Sequence, residues 1–231
     1  MKSENSFIIR LEEVKSLLDK SGLLKHAIMK HDRKRTVIRR HIENVKQFKE
    51  FVDEVLLKNE YDFLLCDDSF FQFDRICSGE KIVYKYVFIQ NPGIRIPFDE
   101  YCFKNEIDLE DENIDYYKEI YDDDETEDTY KMLQFPLYLR YDVDEKGYVP
   151  NLHSYAHLHI GVVEDVRLSV SKILTPSTFV NLVLKMIYPD NWKNILSESK
   201  TNPDIYNFKR LCDDIPLNLW QSCEKKDIYL T

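Results

Sequence analysis

The middle of the chain alternates apolar and polar residues, whereas both ends repeat their apolar residues every three or four positions. The alternating runs include residues 81–89, 135–143 and 156–162, and alternation with period two is typical of half-buried β-strands. The ends carry series such as residues 8–18 and 179–187, whose spacing is typical of amphipathic helices. The pattern predicts an α+β fold with a central, mainly antiparallel sheet and helices from the N- and C-terminal regions packed on it.

Proline and glycine mark where these elements begin and end. The turn signal Asn91-Pro-Gly lies between residues 81–89 and 94–98 and predicts a hairpin between those two strands. Thr175 followed by Pro176 predicts a helix start, because threonine caps helices and proline suits their first position. No repeat and no Pro/Ser-rich linker divides the sequence, so we predict one α+β domain over residues 1–231.

Composition excludes several classes of protein. The hydrophobic fraction of 43% is enough for a buried core, and the 5 glycines form neither of the Gly-rich motifs that cradle phosphates in P-loop and dinucleotide-binding proteins. The 5 cysteines contain no C-x-x-C pair, which argues against a cysteine-based zinc site or a disulfide framework. The N-terminus lacks the apolar stretch of a signal peptide, and no run is long enough to span a membrane. We therefore expect a cytoplasmic location and no membrane contact.

Negative charge is concentrated in one segment. Residues 99–128 hold fifteen acidic residues against two lysines, a local charge of −13 in a chain whose total is −10. The densest part, residues 122–128, repels itself and has almost no apolar side chains. We expect a flexible acidic insertion over residues 104–130, whose first half has enough apolar residues for a short helix. The segment fits either a solvated loop or a surface that mimics nucleic acid or shields a basic surface.

Positive charge is concentrated near the N-terminus. Residues 25–41 carry a local charge of +6 and three histidines. Arginine forms paired hydrogen bonds with phosphate, and the release of counterions favours binding to nucleic acid. The candidates for phosphate or nucleic-acid contact are Arg33, Arg35, Arg39 and Arg40. The apolar residues of this segment have helical spacing, so the same charges also fit the solvated face of a helix.

Two short polar motifs lie on the two strands around a predicted turn. In a strand, residues two apart point to the same face, so pairing of these strands would bring aspartates and histidines together in a hollow that solvent can reach. Imidazole and carboxylate groups suit zinc, manganese or iron, and they also suit acid and base catalysis. The candidate catalytic residues are His157, His159, Asp142 and Arg140, and the candidate ligands of a divalent metal are His157, His159, Asp142 and Asp144.

The same residues have structural explanations. A shift of one residue in strand register would turn one pair to the opposite face. Both histidines then fit a polar, half-exposed strand, and the aspartates fit hydrogen bonds to the turn backbone or pairs with Arg140 or Lys146. The aromatic residues Phe70, Phe71 and Phe73 would stack on bases if they were exposed and would otherwise belong to the core.

The second half of the chain resembles a bacterial family that is catalogued as a domain of unknown function. The resemblance rests on the R-Y-D-V-D and H-S-Y-A-H-L-H-I-G motifs, then on L-T-P-S-T-F and I-Y-P, between residues 139 and 189. The acidic stretch of residues 106–128 is longer here than in the family pattern. The resemblance implies no established activity, but it implies association with mobile-element and antiviral-defence genes.

Two functions from different classes remain open at this stage. The first is a defence or toxin-type hydrolase that acts on nucleic acid or a nucleotide phosphate through the H-x-H strand. The second is a non-catalytic, protein-binding subunit of a defence or toxin-antitoxin complex, in which the acidic segment contacts a basic protein partner. In the first, residues 25–41 offer a surface for nucleic acid.

Overall fold

A computed structural model gives the architecture of the chain. It describes residues 4–29, 45–78, 81–123, 129–161, 166–198, 208–226 and 229–230. The helices are α1 (Glu4–Ser21), α2 (Val45–Leu57), α3 (Phe98–Lys104), α4 (Ile114–Asp123), α5 (Pro176–Ile187) and α6 (Pro189–Glu198). The strands are β1 (Leu24–Ala27), β2 (Phe63–Leu65), β3 (Phe70–Ser78), β4 (Lys81–Ile89), β5 (Gly93–Arg95), β6 (Tyr130–Met132), β7 (Tyr138–Val143), β8 (Ala156–Ile160), β9 (Val166–Ser169), β10 (Lys172–Ile173) and β11 (Asp213–Asp214).

Seven of these strands form one sheet in the order β1-β2-β3-β4-β7-β8-β9. Every neighbouring pair in it is antiparallel. The predicted α+β class, with a mainly antiparallel central sheet and helices from both ends of the chain, is therefore confirmed.

The two faces of the sheet have different partners. On one face, aromatic and aliphatic side chains of β3, β4, β7 and β8 pack against α1, α5 and α6 in a large core that includes Tyr86, Tyr141 and Phe179. On the other face, α2 covers one end of the sheet in a second core around Phe48, Phe70 and Ile89. Because side chains alternate along a strand, the remainder of this second face carries the polar residues of β7, β8 and β9.

The hairpin predicted around Asn91-Pro-Gly is wrong. Strand β4 pairs with β3 and β7, whereas β5 pairs with β6, some forty residues later in the chain. Local turn chemistry permits a reversal at Gly93, but burial of the flanking side chains decides which strand becomes the partner. Asn91 still stabilises the bend, because its side-chain oxygen accepts a hydrogen bond from the Gly93 N–H at 3.0 Å.

Between β4 and β7 the chain leaves the sheet to form the acidic excursion, residues 93–132. Its strands and helices share a small core in which Ile96, Tyr101 and Cys102 are buried and Tyr121 is partly buried. Helix α4 lies within the segment of residues 104–130 and has no fully buried residue. Residues 124–128, part of its densest acidic run, lie outside the described residues.

Helix α5 begins as its sequence predicts. The Thr175 Oγ1 accepts a hydrogen bond from the Thr178 N–H at 3.2 Å, and Pro176 occupies the first helical position. The helix ends at Ile187, and Pro189 then begins α6. In the part of the chain that the structure describes, no helix combines the length and apolar character needed to cross a membrane.

Candidate metal centre

Strand register brings the two polar motifs onto the same face of the sheet. Arg140 lies opposite His159, and Asp142 lies opposite His157. Side chains in such cross-strand pairs have Cβ atoms about 4.5–5.5 Å apart. The predicted convergence of Arg140, Asp142 and the two histidines therefore occurs, in the register that the hydrogen-bonded pairing of β7 with β8 imposes.

A backbone contact fixes the tautomer of His157. Its Nδ1 donates a hydrogen bond to the Ser154 carbonyl oxygen at 2.8 Å, which leaves the lone pair of a neutral ring on Nε2. The pKa of His157 is lowered to about 4, chiefly by burial and then by the neighbouring His159. A neutral imidazole whose second nitrogen is held by a carbonyl is the form in which histidine binds metal.

Asp142 supplies the negative charge of the group. Its Oδ2 accepts a hydrogen bond from Arg140 Nε at 3.0 Å and lies 3.3 Å from His159 Nε2. Burial acts to raise the pKa of Asp142, but the His159 contact and the Arg140 charge outweigh it, so the pKa lies below its ordinary value. Among the described residues, the buried Oδ1 atom has no hydrogen-bond partner, so this oxygen has a lone pair available for a ligand.

The geometry of the three side chains fits a metal ion. One ligand atom from each of Asp142, His157 and His159 lies within 4.8 Å of the others, and all three residues are buried. With zinc bonds of about 2.0–2.2 Å, two ligand atoms of a tetrahedral site stand about 3.3–3.6 Å apart. The 3.3 Å between His159 Nε2 and Asp142 Oδ2 lies at the lower end of that range and is longer than a usual charged hydrogen bond of about 2.7–2.9 Å.

The two histidine rings are almost completely shielded from solvent. His157 and His159 are 3% and 2% exposed, so they do not lie in an open hollow. His157 nevertheless forms part of the wall of a pocket of about 310 Å³ between the turn that precedes β8 and strand β9. A ligand in this pocket would lie next to His157.

The remaining sequence candidates are not brought into this group. Asp144 lies just beyond β7, where its Oδ1 accepts a hydrogen bond from the Lys146 N–H at 2.9 Å, as expected for a residue that stabilises a turn. The candidates Arg33, Arg35, Arg39 and Arg40 lie outside the described residues. Phe70, Phe71 and Phe73 are buried, so they belong to the cores and are not available for base stacking.

Sequence reasoning missed the contribution of strand β9. In the sheet, Arg167 lies opposite His159 and Ser169 lies opposite His157, so both belong to the face of the metal centre. The sequence signal for this strand is the apolar-polar alternation of Val166-Arg-Leu-Ser169. Four residues are too few to identify a strand when its pairing with β8 is unknown. His153 was also assigned no role, although its ring lies edge-on to His157 with centroids 4.6 Å apart.

Gly147 has a steric role beside His153. A Cβ atom at position 147 would lie 2.9 Å from His153 Cε1, closer than carbon atoms pack. The small residue therefore lets the turn approach the His153 ring, which in turn lies beside His157.

Comparison with known proteins assigns the chain to a family. The model of the family described as Uncharacterized conserved protein (DUF2290) matches residues 12–215. No curated protein and no solved structure matches the chain. The matched range contains the whole sheet and every residue of the candidate metal centre. The chain belongs to this family of uncharacterised conserved proteins.

Proposed function

We propose that the protein is a metal-dependent hydrolase that acts on a phosphate ester of a nucleotide or nucleic acid. The observation that carries the proposal is the buried group of Asp142, His157 and His159, whose potential ligand atoms lie within 4.8 Å of one another. Two histidines and one carboxylate form the ligand set of catalytic zinc sites that keep a position for water. When bound, the ion supplies a Lewis acid and a water molecule of lowered pKa.

The residues around the ligands suit an anionic substrate. Arg140 and Arg167 lie on either side of His159 in the sheet, and Lys85 lies opposite Asp142. The charges of Arg140 and Lys85 act directly on Asp142, and Arg140 also orients that carboxylate through its Nε atom. With Arg167, this face carries three cations against the two carboxylates of Asp142 and Asp74, the latter lying opposite Lys85. This excess of positive charge favours a phosphate group over a neutral ester.

The proposed reaction needs only water as co-reactant. The water oxygen forms a bond to phosphorus, and one ester P–O bond breaks. Of the two water hydrogens, one ends on the leaving alcohol oxygen and the other on the phosphate product or in solvent. His157 and His159 hold the ion, Asp142 completes the ligand set, and Arg140 keeps Asp142 in place.

Metal binding provides the first test. We expect purified wild-type protein to contain a divalent metal by elemental analysis and the His157→Ala/His159→Ala variant to contain none. Zinc at 100 times its Kd should stabilise the apoprotein by about 2.7 kcal/mol, which raises Tm by roughly 5–11 °C for a chain of this size. Asp142→Asn should lose most of this shift.

Asp144→Asn is the matched control, because this aspartate is two residues away and its side chain binds the turn backbone instead. Equal metal content in wild type and the double histidine variant would overturn the proposal. Hydrolysis of bis(p-nitrophenyl) phosphate then tests the activity, which should follow metal content across wild type and the three variants. A metal-loaded protein that hydrolyses neither this diester nor nucleotides would refute the hydrolase and leave a metal-binding protein.

A second candidate function, a protein-binding subunit, is favoured by apolar side chains on the acidic excursion. Phe103 is 87% exposed, and Tyr116 and Ile120 of α4 are also exposed among acidic residues. Such a surface suits a basic protein partner with an apolar groove. If this function is the correct one, a defence or toxin effect in cells survives His157→Ala/His159→Ala and is lost on deletion of residues 122–128; the hydrolase predicts the reverse.

A further inference from the structure

Polar side chains line most of the pocket beside the metal centre, together with Leu152 and Leu168. Its wall includes Asn151, Ser154, His157, Arg167 and Ser169. Among the described residues that line it, none is acidic. A pocket whose described lining supplies a guanidinium, an amide and two hydroxyl groups, and no carboxylate, is complementary to an anion.

Strand register explains why these groups face the metal centre. Ser169 and Arg167 are the cross-strand neighbours of His157 and His159, respectively. The backbone of Arg167 therefore lies about one strand spacing, about 4.8 Å, from that of His159, a proposed metal ligand. Because arginine is always charged and binds phosphate through two parallel N–H bonds, it suits a phosphate oxygen pair better than a single point charge would.

The two serines form a second donor. Their Oγ atoms lie 2.6 Å apart, so one hydroxyl donates to the other. The accepting hydroxyl keeps its own hydrogen for a third partner. Both serines line the pocket, and Ser154 is 9% exposed, so a ligand in the pocket is placed to receive that hydrogen.

We propose that this pocket is the subsite that binds the terminal phosphate of the substrate, with Arg167 as its principal contact and the Ser154–Ser169 pair as a further donor. This assignment deepens the proposed function and rests on it for the chemical step, but the binding of phosphate can be measured alone. A volume of about 310 Å³ lies at the lower end of small-ligand sites, about 300–1,000 Å³. The subsite therefore accepts a free nucleotide or a chain end, and excludes the interior of a duplex.

The test uses inorganic phosphate and apoprotein prepared with a chelator, so that no metal contributes. Isothermal titration should show phosphate binding to wild type that Arg167→Gln weakens about 10- to 160-fold, the loss typical of a charged hydrogen-bonded contact. Arg167→Lys, which keeps the charge without the paired bonds, should lie between them. Arg10→Gln is the matched control, because Arg10 is paired with Glu13 on α1; it should bind as wild type does.

Equal phosphate affinity in wild type and Arg167→Gln, or no phosphate binding to wild type, would overturn the subsite. Adenosine monophosphate should compete with phosphate, whereas covalently closed circular DNA should not; competition by the circle would overturn the restriction to ends. The two proposals fail separately. Arg167-dependent phosphate binding by a protein that holds no metal as purified and takes up no added zinc would refute the hydrolase alone, and metal binding with Arg167-independent phosphate binding would refute the subsite alone.

Discussion

Two tyrosines at the centre of the sheet provide a sharp test of how hydrogen bonding stabilises this fold. Tyr86 and Tyr141 lie on neighbouring strands with ring centroids 5.5 Å apart, and both are fully buried. The Tyr141 hydroxyl donates to the Lys172 carbonyl oxygen at 3.1 Å and accepts from the Leu174 N–H at 2.9 Å. The Tyr86 hydroxyl has no hydrogen-bond partner among the described residues. Replacement of each by phenylalanine removes the same atom from two similar environments.

The expected energies differ in sign. Tyr141→Phe removes two neutral hydrogen bonds of about 1 kcal/mol each and leaves the buried Leu174 N–H unsatisfied, so the free energy of unfolding should fall by about 2–4 kcal/mol. Tyr86→Phe removes a hydroxyl whose burial without a partner costs about 1–3 kcal/mol. The loss of packing around the missing oxygen offsets part of this gain. The free energy of unfolding of Tyr86→Phe should therefore lie between that of wild type and about 2 kcal/mol above it.

Urea denaturation followed by circular dichroism measures both effects. With a urea m-value of roughly 3 kcal/mol/M, a loss of about 3 kcal/mol moves the midpoint about 1 M lower for Tyr141→Phe. The Tyr86→Phe midpoint should stay the same or rise. Equal destabilisation of the two variants would refute the reasoning, because it would show that the hydrogen-bond partners of the hydroxyl group do not determine the cost of removing it.

Two further predictions concern residues outside the metal centre. Glu224 accepts a hydrogen bond from the Tyr148 hydroxyl at 2.7 Å. Burial together with this carboxylate raises the pKa of Tyr148 to about 12. Because folding favours the neutral phenol, its contribution to the free energy of unfolding is present below about pH 10 and is lost as the pH rises through 12. Unfolding titrations across this range should show a slope that Tyr148→Phe reduces, and an unchanged slope would contradict the assignment. Thr175→Ala should cost about 1 kcal/mol of unfolding free energy through loss of the α5 cap, whereas Thr175→Ser should retain it; equal urea midpoints for the two variants would contradict the cap.

The sequence predicts the elements of the fold better than their partners. Periodicity identifies β4, β7 and β8 because each buries at least one face, and the Thr175-Pro176 pair identifies the start of α5. The hairpin at Gly93 fails because a turn signal is local, whereas the choice between a strand a few residues away and one forty residues away depends on tertiary burial. Short strands such as β6 and β9 carry too few residues to show a period.

The candidate site was predictable in composition but not in geometry. The H-x-H and D-x-D spacings place each pair on one face of its strand, and this holds for any register. The pairing of Asp142 with His157 depends on how the residues between β7 and β8 fold, which spacing alone does not determine. Asp144 is separated from the group because β7 ends at Val143 and the next residue already belongs to the turn.

The acidic excursion leaves and rejoins the sheet at one point, with consequences for how the family can diverge. The Gln90 N–H donates to the Leu137 carbonyl oxygen at 2.9 Å, and the Leu137 N–H donates to Gln90 Oε1 at 2.9 Å. These two hydrogen bonds let β7 pair beside β4 whatever the length of the chain between them. Each doubling of the enclosed loop raises the free energy of loop closure by only about 0.6 kcal/mol. The length and charge of the acidic excursion can therefore change during evolution while the strands that carry the histidines remain in register.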